Sequence, residues 1–314
     1  MKQLKDLSRL LLLLFTISGL VTSCGSDDDD DGNEPAALAN ANKNDATLEP
    51  SLSRLEFPRV KPASSVVIIH STQDRYGINF STEWDYVKKS QRWSCYQMIS
   101  GLPVGNYDSY FEEDPDLRSS YRLQNIASYY SGSGFDRGHI CPSADRRYSK
   151  LANQQTYYYT NMQPQYHMFN AGPRLANGNQ DWSKKSPWLK LEEQVRSWTN
   201  SIKGSSVDTL YVCKGGTIED NQLLTTINGV LRVPKYFFVA LLAKMHDSGG
   251  YRAVGFWIEH DNIDHSSNGI STYAVNVRQL EQLTGIDFFC NLPDNTENQV
   301  EALALENVKR AWGL

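Results

Sequence analysis

Apolar runs punctuate this chain, and their lengths sort it into three parts. Residues 10–21 form an apolar run behind a basic start carrying Lys2, Lys5 and Arg9. About twelve apolar residues are too few to span a bilayer but suit a signal peptide. Residues 24–60 are rich in Asp, Asn, Ala and Pro without apolar periodicity, which predicts a flexible acidic tether. From 61 to 314 the pattern becomes that of a folded domain. Val66-Val67-Ile68-Ile69, 210–213, 236–242 and 253–258 read as buried strands, 86–98 as a strand in a hairpin context, and Asn228-Gly229 as a hairpin turn. Helices are predicted over 149–155, from Ser186-Pro187 onward, and over 276–283 with Gly285 as C-cap. Trp188, Leu191, Val195, Trp198 and Ile202 share one face of the second helix. The fold class is α+β: an antiparallel sheet core flanked by helices.

Chemistry concentrates between residues 135 and 170. This stretch holds Asp136-Arg137-Gly138-His139, the arginines Arg146 and Arg147, and two asparagines, Asn161 and Asn170. A histidine near neutral pKa can take a proton from water. Arginines hold phosphate and offset its charge. Amide oxygens are hard ligands suited to Mg²⁺. Glycine allows close backbone approach. The residues 136–141 read as one strand, and Thr156-Tyr157-Tyr158-Tyr159-Thr160 as a second. Pro164 is expected to end the pairing, and Asn170 to lie near the start of the following helix.

Four residue types do not by themselves name a reaction; the ordered set of segments around them carries a resemblance. The segments ANQQTYYYTNMQPQ, FN and PWLKLEEQVR follow the Asp-Arg-Gly-His run, and LYVCKGG, VPKYFFVALL and LTGIDFF come later. From about residue 85 to about 294 the chain resembles the DNA/RNA non-specific endonucleases of the ββα-metal class. The resemblance implies Mg²⁺-dependent hydrolysis of DNA and RNA with little sequence preference, leaving 5′-phosphate ends, with Mn²⁺ able to substitute. It makes His139 the general base and Asn170 the one direct protein ligand of the metal. Glu192 would hold the metal's water shell. Arg137 and Arg196 would face the phosphate, Asn161 would position the site, and Asp136 would orient its neighbours. Two departures stand out. Ser109 occupies the place of a phosphate-holding arginine, with Arg118 and Arg122 as possible replacements. Residues 171–186 separate Asn170 from Glu192 and read as an insertion, either a substrate-contacting loop or surface decoration. Glu192 and Arg196 are spaced i, i+4, so a plain surface ion pair is the alternative for them.

Charge narrows the partners. The chain carries a net −5, but the excess of acid over base lies in residues 24–60, leaving the domain near neutrality. That is not the basic body of a tight duplex binder; a nuclease with a local basic groove tolerates it. Two rival readings remain: a surface phosphodiesterase or phosphatase acting on small phosphorylated ligands, and an inactive nucleic-acid-binding lipoprotein. The sequence Val21-Thr22-Ser23-Cys24 resembles a lipobox, so Cys24 is expected to carry a lipid. Residues 1–23 would be removed, leaving the protein anchored to a bacterial outer membrane, facing the periplasm or the cell surface. The lipid would be its sole link to the membrane, and no obligatory protein partner is evident. Asp27 to Asp31 is a solvated spacer or a surface-export signal. Cys95, Cys141, Cys213 and Cys290 permit disulfides in an exported protein or buried thiols; their wide spacing argues against zinc. Glu259, His260, Asp261, Asp264 and His265 have the look of metal ligands but read as a polar loop after a strand, and His167 as a supporting residue near Asn170.

Overall fold

The computed structural model describes residues 39–72 and 76–314. In chain order the elements are β1 (Ser65–Ser71), β2 (Ile78–Asp85), β3 (Ser90–Met98), α1 (Ile126–Tyr130), β4 (Phe135–His139), α2 (Lys150–Gln155), β5 (Met162–Tyr166) and α3 (His167–Asn170). They continue with α4 (Pro187–Trp198), β6 (Ser201–Ile202), β7 (Ser205–Gly216), β8 (Leu223–Ile227), β9 (Leu231–Pro234), β10 (Tyr236–Met245) and β11 (Tyr251–Glu259). The last four are β12 (Ala274–Val275), α5 (Val277–Thr284), α6 (Asp294–Glu301) and α7 (Leu305–Trp312). Cys24, the aspartate run and the expected signal peptide lie outside the described residues. Among the described residues, no helix is long and apolar enough to cross a membrane.

An antiparallel sheet in the order β1-β2-β3-β7-β10-β11-β12 forms the centre, with β6 hooked onto β7. Its middle strands are apolar on both faces, so they read as continuous hydrophobic runs. Successive side chains on a strand point to opposite sides. Leu210, Val212, Val239 and Leu241 pack with α4 and α7 residues Trp188, Leu191, Val195 and Trp312 on one side. Tyr211, Cys213, Phe238 and Ala240 pack with α5 residues Val277 and Leu280 and with Phe288 on the other. Burying a large apolar side chain contributes about 1.5–3 kcal/mol, so covering both faces is what holds the sheet. The expected start and end signals hold. Ser186 Oγ accepts from Leu189 N at the start of α4, Gly285 closes α5 at φ 66°, and Asn228 and Gly229 turn the β8–β9 hairpin at φ 51° and 71°.

The tether expected over 24–60 is corrected in its second half. Asn40 Nδ2 donates to the carbonyls of Cys290 and Leu292 at 3.0 and 2.6 Å. Asn44 is buried, donating to Pro58 O and accepting from Val60 N, both at 3.0 Å. Phe57 is fully buried against Trp93. Asparagine side chains bonded to backbone hold this stretch to the domain, and such bonding leaves no apolar periodicity to read.

A second correction concerns the site itself. β4 pairs with β5, in register from Phe135 opposite Tyr166 to His139 opposite Met162. The second strand is therefore 162–166, not 156–160, and Pro164 lies within it opposite Arg137. The Ile140 N to Asn161 O bond of 3.0 Å sets the alternation of the antiparallel ladder. It places Pro164 where the backbone nitrogen faces away from β4, so the missing N–H costs no ladder bond. Thr156 to Thr160, despite their strand-forming types, form a turn and a short 3-10 segment. All four described cysteines are free and buried, so no disulfide joins them; each behaves as a small apolar residue. Cys95 and Cys213 are opposite partners on β3 and β7.

Candidate active site

Asp136, near the start of β4, gathers the polar side chains of α3. Its Oδ2 accepts from Asn170 Nδ2 at 3.0 Å and from His167 Nδ1 at 2.7 Å. An ionised carboxylate only accepts, so the Asn170 amide must turn its NH₂ toward Asp136. Its Oδ1 is thereby left free to meet a hard cation. Asn170 ends the short helix α3, where Ala171 leaves helical geometry, and is not at the start of the longer helix. His167 Nε2 in turn bonds Gln180 Oε1 at 3.0 Å. Gln180 donates to the carbonyls of Ala171, Pro173 and Asp181, which ties the 171–186 insertion to the support of Asn170.

His139 and Arg137 share the other face of β4. The His139 ring lies 4.7 Å from the Tyr157 ring, edge-on, and 5.9 Å from Phe111. Neither of its nitrogens has a hydrogen-bond partner among the described residues, and Nε2 is buried. Burial, reinforced by the Lys214 ammonium, pushes its pKa down to about 4. The ring is neutral at physiological pH, the state a general base requires. The Arg137 guanidinium lies 5.0 Å from the Phe111 ring centre and 5.4 Å from that of Tyr130. No ion pair or hydrogen bond engages it among the described residues, and its Nε is buried without a partner. Between the two, Gly138 is demanded by packing: a Cβ would lie 2.2 Å from the buried Gln165 side chain.

The α4 residues do not form the plain surface ion pair that was the alternative for them. Glu192 and Arg196 do not pair with each other. Glu192 Oε1 accepts from Lys214 Nζ at 2.8 Å, and Lys214 lies over the Trp188 ring at 4.3 Å. Burial pushes the Glu192 carboxyl up, against the opposing pull of Lys214. Arg196 Nη1 donates to Asp145 Oδ1 at 2.9 Å, and Tyr96 donates to the other Asp145 oxygen at 3.0 Å. Burial disfavours the Arg196 cation, but Asp145 outweighs it and keeps the guanidinium charged. Lys214 and Asp145 were not singled out from the sequence. The signal for Lys214 was there: one charge inside the apolar run of β7.

Other candidates are structural. Asn161 is fully buried. Its Oδ1 accepts from Cys141 N and Ser94 Oγ, and its Nδ2 donates to the carbonyls of Cys141 and Thr156. It clamps the exit of β4 to the preceding turn and has no bond left for substrate. Arg146 is buried over the Tyr96 ring at 4.3 Å, and Arg147 is bound to Gly105 O and Asn106 Oδ1. Ser109 donates to Asn153 Oδ1 at 2.8 Å. Arg122 is committed to the carbonyls of Leu117 and Asp114, and Arg118 lies 6.0 Å from the Tyr121 ring. His260 is buried rather than exposed; it bonds Pro234 O and Tyr166 N and so braces β5. Among the described residues, His70, Asp114 and Asp116 lie close enough to share a metal ion. Asp114 already accepts from His70 at 2.9 Å, from Thr160 Oγ1 and from Asp116 N. These bonds tie its loop to β1. Asn170 Oδ1, by contrast, carries no such bonds among the described residues.

Comparison with known proteins gives the family. Residues 64–295 match the family model described as DNA/RNA non-specific endonuclease. A nuclease of Nostoc sp. is 27% identical over 237 residues, covering 73% of this chain and 76% of that protein. A nuclease of Cunninghamella echinulata is 31% identical over 203 residues, covering 63% and 73%. Human mitochondrial endonuclease G is 26% identical over 191 residues, covering 58% and 57%. A solved structure of an endonuclease G bound to its inhibitor superposes with a TM-score of 0.54 at 22% identity, covering 71% of this chain and 86% of that one. With a family model spanning well over half its length, the chain belongs to the DNA/RNA non-specific endonuclease family and is an enzyme of that class.

Proposed function

We propose that this enzyme hydrolyses phosphodiester bonds within DNA and RNA, with Mg²⁺ as its metal, little sequence preference and 5′-phosphate products. The observation that carries the reading is the Asp136–Asn170 bond. It leaves a carboxamide oxygen unengaged at the end of α3, tied to the strand that bears an unpaired arginine and a neutral histidine. Asn170 Oδ1 would bind the cation directly, with Glu192 meeting its water shell. One neutral protein ligand suits a cation that keeps most of its waters; Mn²⁺ would serve in its place. When bound, the metal would offset charge developing on the phosphate.

The protein's own residues do the rest. His139 takes a proton from the attacking water through a free ring nitrogen. Arg137, held between two aromatic rings, contributes positive charge to the phosphate without having to leave a protein partner. Arg196 acts from its place on Asp145, and Asn161 keeps the β4 exit fixed. Export, removal of residues 1–23 and lipid attachment at Cys24, placing the enzyme on an outer membrane, complete the proposal. The motif Val21-Thr22-Ser23-Cys24 supports them.

The test is incubation of the purified protein with plasmid DNA and with RNA under Mg²⁺, Mn²⁺ and EDTA, with His139→Ala alongside. Metal-dependent loss of both polymers, slowed ~10²-fold or more by the substitution, is the expected result. Turnover of a small diester with both polymers intact would replace this reading with that of a small-ligand phosphodiesterase.

A further inference from the structure

Residues 105–112 lie beside β4 and are pinned along their length. Gly105 N donates to Arg147 O, and Arg147 Nε returns a bond to Gly105 O, both at 2.7 Å. Ser109 bonds Asn153. Gln154 Nε2 donates to Tyr110 O at 2.9 Å and to Glu112 Oε1 at 2.7 Å. Glu112 N donates to Tyr157 O, and Glu112 O accepts from Tyr159 N. This anchored segment presents two aromatic side chains to solvent: Tyr110 is 67% exposed and Phe111 36%. Neither belongs to a buried core cluster. Phe111 is also the ring that faces both Arg137, at 5.0 Å, and His139, at 5.9 Å.

We infer that Tyr110 and Phe111 form a nucleobase-stacking subsite beside the scissile phosphate, and that the enzyme therefore favours unpaired strands. The inference rests on the nuclease reading above. A phosphate held at Arg137 would set its nucleotide beside Phe111, whose ring centre lies 5.0 Å from the guanidinium. Aromatic faces on a fixed loop stack any base, because every base has a π-face, and they do so without reading sequence. Bases inside a duplex are already stacked on one another and must be splayed out before they reach a protein ring. Ser109 of the same segment is bonded to Asn153 and brings no charge, so what the segment offers a nucleotide is its rings.

The test compares three labelled substrates of equal length: single-stranded oligothymidylate, a strand of tetrahydrofuran abasic residues, and a duplex. The full-length protein, Tyr110→Ala, and Tyr110→Ala with Phe111→Leu are assayed for kcat/KM in Mg²⁺; leucine keeps apolar packing against Arg137. The wild type is expected to favour the oligothymidylate over the abasic strand about tenfold or more. It should also favour it over the duplex, and both ratios should fall toward one in the double variant. Equal losses on all three substrates, with the ratios intact, would show a purely structural loop and overturn the inference. No preference for bases in the wild type would overturn it as well. Wild-type protein that cuts none of the three removes the nuclease reading and this inference with it.

Discussion

Asn170 Nδ2 donates to Asp136 Oδ2 across 3.0 Å, and that bond decides which end of the Asn170 amide is offered to a cation. Replacing Asp136 by asparagine puts an amide where the carboxylate was, and the orientation of Asn170 is no longer dictated. Loss of such a supporting partner typically costs 10–100-fold in metal affinity or activity, so Asp136→Asn is expected to raise the Mg²⁺ concentration for half-maximal cleavage by roughly that factor. A Mg²⁺ titration of initial rates measures it. An unchanged midpoint would mean that Asn170 is not the ligand.

The pH profile follows from His139. Its imidazole must be neutral to accept a proton, and burial with Lys214 nearby sets its pKa near 4. The base form is therefore present above that value and lost as pH falls through it. The expected profile of kcat/KM is level from neutral pH to about pH 5 and declines below that. An acid limb centred near pH 6.5 would show that the ring is not so depressed.

Lys214→Met leaves Glu192 buried without its cation. Breaking a buried pair by removing one partner costs about 3–5 kcal/mol, and denaturant unfolding of the variant should show a loss of that order. Adding Glu192→Gln removes the stranded charge, so the double variant should recover part of the stability while cleavage stays low. Failure to recover would point to the Trp188 contact as the main contribution of Lys214.

The far side of the molecule predicts a stability change with pH. Glu281, Glu297 and Glu301 line one cavity with Arg278. Burial, aided by repulsion from neighbouring carboxylates, raises Glu301 to about 9 and the other two to about 7, from an ordinary 4.5. A carboxyl that is harder to ionise in the folded state costs nothing while both states are protonated. Its penalty grows as pH rises from about 4.5 through the folded value. Thermal unfolding should show Glu301→Gln stabilising the protein at pH 8 and having little effect at pH 4.5. Equal effects at both would sink this account.

Cys95, Cys141, Cys213 and Cys290 are buried free thiols, and burial pushes Cys141 and Cys290 up to about 12. A thiolate is the reactive species. A thiol reagent should therefore label these four slowly in the native enzyme and promptly in denaturant, without prior reduction. Labelling that requires a reductant would instead establish disulfides.

The sequence alone determined which elements form and in what order the reactive residues come. Continuous apolar runs marked strands covered on both faces, Ser186-Pro187 and Gly285 marked helix ends, and Asp136 to His139 marked the reactive strand. These are legible because periodicity, capping and turn chemistry act over a few neighbouring residues. Where local signals conflicted, reading failed: three tyrosines between two threonines suggested a strand that packing turned into a 3-10 turn, and Pro164 concealed the strand that does pair. Only the tertiary structure decided the partners. Lys214 meets Glu192 from 22 residues away and Asp145 meets Arg196 from 51. Asn40 reaches the carbonyls of Cys290 and Leu292 across some 250 positions. Such pairings depend on where the sheet brings distant segments together, and no local pattern records which charge will face which.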